Sequence, residues 1–414
     1  MEVIHSRCAG IDVSKRDAKV CVRIQGSGAR PTRTTVTTWA AVTSRILELR
    51  DHLQNEQVSL VVMEATSDYW RPFYYLLEDD GLQVVLVNSR DARNVPGRKT
   101  DVSDAAWLAD LGAHGLVRAS FVPPPPIREL RDLTRARTII TRERTREIQR
   151  LEKLLEDACI KLSSVASDIT GVSGRLMLQA LIDGQEDPAA LAQLAKRKLR
   201  AKIPELTEAL NGRFKDHHRY MTALYLRRID AHTADINDLS ARIEAAMEPF
   251  RGARDLLTSI PGFNTTVAEV FIAETGADMT VFRTAGHLAS WAGTSPGANE
   301  SAGRVKSAKA RPGDSYLKGA LGIAALTAVR SNNTYFSAKY RRILSRRGPM
   351  KALVAVERAM LTAAWHMLTT GEFYKDPGAG YFTNHAPARV KARALGQLES
   401  LGYHVTLEPF PQTG

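Results

Sequence analysis

Four consecutive prolines, Pro123 to Pro126, divide this chain into two parts that cannot share one continuous sheet or one continuous helix. Each proline lacks an amide donor and restricts the residue before it, so regular backbone bonding should stop across the run. Upstream, apolar residues alternate or form short blocks. Downstream, they follow helical spacing over long stretches. A chain of 414 residues divided in this way is expected to form more than one domain.

Upstream of the prolines, CAGIDVS, AKVCVRIQ and RTTVTT read as three successive strands, with QGSGAR as the turn between the second and third. A helix is expected from Trp39 to Gln54. VSLVVME is a nearly continuous apolar run suited to a buried parallel strand; Tyr69 to Asp80 reads as helix, QVVLVN as strand, and Asp101 to His114 as helix. The expectation is an α/β domain over residues 1–125.

Downstream, Leu130, Leu133, Ile140, Leu151, Leu155, Ala158 and Leu162 follow an imperfect heptad frame, as do Tyr225, Ile229, His232, Ile236, Leu239, Ile243 and Ala246. They predict an antiparallel coiled-coil helical section over 126–250, with ordinary bundle packing as the alternative. A mostly helical domain follows over 251–370. Its segment LLTSIPGFNTTVAEVFIAE matches a helix-hairpin-helix pattern, whose turn at Gly262 would aim backbone amides at a phosphate. Asn264 takes the place of the usual second glycine, and asparagine can still adopt a left-handed conformation. Helices are expected at Tyr316 to Arg330 and Ala352 to Leu368. Residues 371–414 form an extension with one helix, Pro387 to Gly402.

The charge balance points to a polyanion. Lys and Arg number 57 against 45 Asp and Glu, a surplus of 12. Nine bases against five acids between Arg128 and Lys153 make that helix one expected site of contact. Another is Pro296 to Lys318, where Arg304, Lys306, Lys309, Arg311 and Lys318 accompany Glu300 and Asp314; the glycines at 297, 303 and 313 would let a phosphate approach the backbone. Ser301 sits among them in NESAGR. A serine there is usually a turn former; as a nucleophile toward a phosphodiester it would need a base and nearby cations. Three cysteines without metal or disulfide spacing, no signal-like N-terminus and no apolar run of about 18 residues suggest a cytoplasmic protein with no membrane partner.

Acids carry the remaining signal. Asp12 closes the first strand and Glu64 the fourth, and functional groups of α/β sheets converge at strand ends. Asp101 and Asp104 are three apart at an expected helix start and share one face. Taken singly, Asp101 could cap the helix, Asp104 could complement its dipole, and Asp12 could close an Asx turn. Taken together, four converging carboxylates suit Mg2+ or Mn2+, and paired metals are a common device for phosphodiester chemistry. A sugar-kinase or actin-like reading fits less well, because GIDVSK has no glycine after Asp12.

GIDVSK, VVMEATSDYW, KTDVSDAAWLADL, IPGFNTTVAEVFIAETG and WAGTSPGANESAGRVKSAKARPGDSYLKGAL, in this order, resemble the insertion sequence 110 family of transposases, also called bridge-RNA-guided recombinases. The resemblance spans about residues 8 to 370. It implies a ribonuclease H or RuvC-like domain whose DEDD acids are Asp12, Glu64, Asp101 and Asp104, and a transposase domain whose nucleophile is Ser301. Ser295, Ser307 and Ser315 fit the motif less well. The resemblance further implies a non-coding guide RNA, a DNA substrate, a homodimer or homotetramer, and completion of the site by the acids of a partner subunit. The competing readings are a hydrolytic RuvC-like endonuclease and a non-catalytic scaffold for nucleic acid.

Overall fold

The computed structural model describes residues 2–28, 30–79, 81–89, 92, 95, 103–297, 299–301, 303–307 and 309–408. The chain separates into two compact units, Met1–Val122 and Pro123–Gly414.

The first unit is a mixed α/β structure. Strands β1 (Arg7–Val13), β2 (Asp17–Ile24), β3 (Arg33–Ala40), β4 (Leu60–Glu64) and β5 (Val84–Val87) lie in the order β3-β2-β1-β4-β5. β1, β2 and β3 pair antiparallel, whereas β4 pairs parallel to both β1 and β5. Strand alternation divides the side chains between two cores. Ala9, Ile11, Val61 and Met63 pack with Ile46, Leu49 and Leu53 of α1 (Thr43–Asn55) and Phe73 and Leu77 of α2 (Trp70–Glu78). Cys8, Leu60 and Val62 pack with Trp107, Leu108 and Leu111 of α3 (Asp104–Ala113) on the other face.

Two expectations change here. β3 continues through Trp39, whose indole N–H donates to Thr37 Oγ1, so α1 begins four residues later than the sequence suggested. α3 begins at Asp104, with Ser103 as its N-cap, rather than at Asp101. Cys8 and Cys21 are fully buried, and burial pushes the Cys8 thiol up to about 12. Such a thiol is not a nucleophile at neutral pH.

The second unit is mostly helical and opens with α4 (Pro125–Asp157). The proline run does not end with a loop. Pro125 and Pro126 occupy the first turn of α4, where a missing N–H leaves no intrahelical bond unmade. α4 packs along α9 (Asp216–Ala246), and four side-chain bonds run in reverse order along them: Asp157 with His218, Glu147 with Arg228, Arg144 with Thr233, and Arg137 with Ser240. The pair is therefore antiparallel. Its middle is more polar than the heptad frame implied, since Thr134, Arg137 and Glu147 are buried while Ile139 is exposed.

At one end of this pair, α5 (Leu162–Val165), α6 (Val172–Ile182), α7 (Pro188–Ala192) and α8 (Ile203–Ala209) close an apolar core with Leu151, Leu155, Leu226 and Ile229. At the other end, α10 (Arg251–Thr258) leads into α11 (Thr265–Thr275), which is buried from Val267 through Thr275. α12 (Ala285–Trp291), α13 (Ser315–Ala328), α14 (Tyr335–Arg347) and α15 (Pro349–Thr370) follow, and then α16 (Tyr381–Asn384) and α17 (Pro387–Ser400).

Candidate functional site

The strongest convergence of sequence-predicted residues is at the carboxyl ends of β1 and β4. Their parallel register runs from Cys8 beside Leu60 to Ile11 beside Met63, and one further step sets Asp12 beside Glu64. Both acids share the strand parity of Gly10 and Val62, which face α3. Gly10 is required there: a Cβ would lie 2.1 Å from the Ala105 carbonyl oxygen, so only glycine lets α3 approach. Because Ala105 touches Gly10, the preceding Asp104 lies at the same strand ends. Asp12 and Asp104 are half-buried, and Glu64 is 7% exposed.

Two of the structural roles considered for these acids belong to other residues, while Asp104 does stand in the first turn of α3, where it complements the helix dipole. Ser14 Oγ donates to Asp17 Oδ1 at 2.7 Å and accepts from the Arg16 and Asp17 amides, closing the β1–β2 turn. Ser103 Oγ accepts from the Ala106 amide and caps α3. The positive end of α3 thus lies toward the acids. Asp12, Glu64 and Asp104 would offer only hard oxygen donors, the set that suits Mg2+ or Mn2+, although among the described residues only Asp157, His217 and His218 bring three ligand atoms within 4.8 Å of one another. Asp101 lies outside the described residues.

In the second unit, the Ile260–Phe263 turn joins α10 to α11. Gly262 is left-handed, with φ 92, and a Cβ on it would lie 2.2 Å from the Ala324 carbonyl oxygen. Its first duty is therefore to let the turn pack on α13. Asn264 is not left-handed: at φ −95 and ψ 174 it is extended, and its side chain accepts from the Val267 amide as the N-cap of α11. The capping bond, rather than turn geometry, accounts for an asparagine at this position.

The segment read as a serine loop contains a hairpin. β6 (Asn299–Ser301) pairs with β7 (Arg304–Ser307), Ser301 opposite Arg304, around a turn in which Gly303 has φ 74. Ser301 is thus the last residue of its strand. The side chains of Ser301 and Lys306 lie outside what is described. Gly297 and Gly313 differ from the phosphate-approach reading, because a Cβ at either would meet protein backbone, at Lys309 and Ala292 respectively. Arg304, Lys309 and Arg311 are exposed, and Lys318 is half-buried.

One feature of this region escaped sequence reasoning. Arg135 of α4 forks onto Glu274 through two bonds of 2.7 Å, reaches Asp314 at 3.3 Å, and lies 4.8 Å over the Tyr316 ring. Asp314 itself caps α13 by accepting from the Leu317 amide. Arg135 therefore fixes the downstream end of the serine segment to the long helix. The available signal was Glu274, which with Glu269 is one of two acids on a helix that carries no other charge, and which when buried requires a partner.

Asp157, His217 and His218 also cluster at metal-like spacing. His218 Nδ1 accepts from the Lys215 amide, so Nε2 carries the proton and donates to Asp157 at 2.9 Å. Holding a cation at that nitrogen would require an imidazolate. The cluster is a helix cap, and the His218 bond keeps the Asp157 carboxyl below its ordinary range.

Residues 9–160 match the DEDD transposase model of the IS110 type, and residues 254–341 match the model described as transposase, IS116/IS110/IS902 family. The chain belongs to the IS110 family of transposases. It is similar to the uncharacterized 42 kDa protein of insertion element IS900 from Mycobacterium paratuberculosis, with 29% identity over 72% of this chain and 80% of the relative. It is also similar to the uncharacterized 43.6 kDa protein of insertion element IS110 from Streptomyces coelicolor, with 28% identity over 70% of this chain and 76% of the relative. Membership of the IS110 family makes DNA transposition the activity of this chain and indicates use of a divalent metal. The four candidate acids fall within the first match; Gly262, Ser301, Arg304, Lys306, Lys309, Arg311 and Lys318 fall within the second. Among the described residues, no helix is long and apolar enough to cross a membrane.

Proposed function

We propose that this IS110-family transposase cuts and rejoins DNA through a covalent phosphoserine at Ser301, with Asp12, Glu64, Asp101 and Asp104 as a metal-binding set in a ribonuclease H/RuvC-like domain. The observation that carries the reading is the β1–β4 register, which brings Asp12 beside Glu64 in front of the α3 N-terminus. In this scheme the domains are residues 1–125, a coiled-coil section 126–250, a serine transposase domain 251–370, and an extension 371–414. A non-coding RNA encoded by the element selects the sites, and the working form is a homodimer or homotetramer.

The chemistry assigned to Ser301 is phosphodiester transfer. Its Oγ forms a bond to phosphorus as the P–O3′ bond breaks; the serine proton leaves to a base, and the departing 3′ oxygen takes up a proton. The bond energy is kept in the phosphoserine, so the reverse attack by an exchanged 3′ hydroxyl needs no nucleotide cofactor. Arg304, Lys306, Lys309, Arg311 and Lys318 supply positive charge to the transferring phosphate and its flanks, and Gly262 belongs to a backbone contact with DNA. A bound divalent ion would supply Lewis-acid stabilisation at the acidic site. Asp12 and Glu64 would hold it, with Asp104 and Asp101 completing the set.

The test uses purified protein, a plasmid carrying the element with its flanking non-coding stretch transcribed, and Mg2+. The wild type should yield a protein-DNA adduct that survives denaturation. Ser301→Ala should yield none, and Asp12→Asn should abolish recombination. Adducts persisting in Ser301→Ala would sink the nucleophile. Metal-dependent nicking without any adduct in the wild type would replace transfer by hydrolysis.

A further inference from the structure

No Asp or Glu occurs between Asp314 and Glu357, and the surface of α14 lies inside that interval. Arg341, Arg342, Arg346 and Arg347 are exposed, followed by Lys351. Among the described residues, Arg341, Arg346 and Arg347 have no carboxylate partner within ion-pair distance. The pairs 341/342 and 346/347 are five residues apart, about 7.5 Å along a helix axis. Charge is thus held at fixed intervals on a rigid element.

The chain beyond α15 returns to secure this helix. The Tyr335 amide donates to Asp376 Oδ1, and the Tyr374 amide donates to Ser259 Oγ at the end of α10. Tyr335 stacks on Phe382 with centroids 5.3 Å apart, Phe336 stacks on Tyr374 at 5.6 Å, and Arg342 lies 4.7 Å over the Phe382 ring. Everything from Arg342 onward lies beyond the residues matched by either family model.

We infer that α14, strapped by residues 371–385, is a second DNA-binding surface that grips the phosphate backbone of duplex DNA, apart from the serine hairpin. This rests on the family reading only in taking DNA as the substrate. Exposed arginines without acid partners suit a polyanion. Single-stranded nucleic acid is gripped largely by stacking bases on free aromatic rings. The rings beside these arginines are stacked on one another, which favours a duplex over a single strand.

The full-length protein, titrated with a 30-bp duplex DNA of arbitrary sequence and with a 30-nucleotide single-stranded RNA at several NaCl concentrations, tests this. Each lost phosphate contact should lower the slope of log affinity against log salt by about 0.9, so Arg346→Gln/Arg347→Gln should lower the duplex slope by about 2. Arg346→Lys/Arg347→Lys should restore it, which separates charge from folding. Phe382→Ala should lower the slope by about 1 or less by releasing Arg342. An unchanged duplex slope in the Gln double variant, or a slope lowered for the RNA alone, would overturn the inference. Ser301→Ala should keep the wild-type slope whatever becomes of its adduct, so failure of the phosphoserine mechanism leaves this measurement standing.

Discussion

Two arginine-rich helices of this transposase, α4 and α14, use their charge in opposite ways. On α4, Arg131 and Arg135 bind Glu274, Arg137 binds Glu269, and Arg146 and Arg150 pair with Glu143 and Glu147 along the same helix. On α14, Arg341, Arg346 and Arg347 face solvent, and none has a carboxylate partner among the described residues. By composition alone, Arg128 to Lys153 on α4 and the arginine-rich stretch Lys339 to Arg347 on α14 both suit a polyanion. The structure assigns much of the α4 charge to holding the second unit together, so the count of bases overstated what that helix can offer a nucleic acid. Arginine becomes a binding group only where no acid of the same fold has already claimed it.

The sharpest way to break this comparison is to truncate an arginine of each kind. Arg137 and Glu269 have side chains 9% and 5% exposed and share a 2.6 Å bond. Arg137→Met should cost about 3 kcal/mol, because it leaves the buried Glu269 with only the longer 4.0 Å contact to Arg254. Urea unfolding measures this, and a loss below about 1 kcal/mol would return Arg137 to the pool of surface charge. Arg137→Met/Glu269→Met should recover much of the loss, since the penalty belongs to the abandoned charge. Arg135→Gln comes next at about 1–3 kcal/mol, because Glu274 keeps its bond to Arg131. Its effect should extend to the serine segment through Asp314, so adduct formation should fall more than duplex affinity. A parallel fall in both would leave Arg135 a purely structural residue. By contrast, Arg346→Gln/Arg347→Gln should leave the thermal midpoint at the wild-type value while changing the salt dependence of binding. A lowered midpoint would mean that α14 too spends its charge on the fold.

How far the sequence carried these distinctions depended on where each signal was stored. The sheet was legible because VSLVVME and CAGIDVS carry their burial in local pattern, and Asp12 and Glu64 were legible because they punctuate those runs. The close approach of α3 to β1 was not, since it rests on Gly10 admitting the Ala105 carbonyl, a fact about two segments far apart in the chain. The β6–β7 hairpin was hidden because NES and RVKS offer a single apolar residue, Val305, and no alternation to read. α14 was missed as a helix for a related reason: its polar composition masks its period, although Thr334 caps its start and left-handed Gly348 ends it. The pairing of Arg131, Arg135 and Arg137 was beyond reach, because their acids lie on α11 and at the start of α13.

The smallest effect concerns Glu357, the first acid after the basic interval, and it asks whether that acid screens α14. Glu357 lies on α15, is buried, and has Lys318 of α13 as its nearby cation; its carboxylate oxygen is 3.8 Å from where a Cβ on Gly322 would stand. Burial pushes its carboxyl above the ordinary range, and Lys318 offsets only part of that shift. The folded state therefore holds this proton to higher pH than the unfolded chain does. Stability from the group is present below the ordinary carboxylate range and is lost as pH rises through the raised value. Glu357→Gln removes the decline, so thermal midpoints of the two proteins measured from pH 4 to pH 8 should draw apart with rising pH, the variant becoming relatively more stable. Parallel curves would mean that burial does not penalise this charge. Because the acid is turned toward α13, the same substitution should leave the salt slope for duplex DNA unchanged. A steeper slope in Glu357→Gln would show that Glu357 neutralises part of the α14 surface, and the contrast between the two arginine helices would narrow by that one charge.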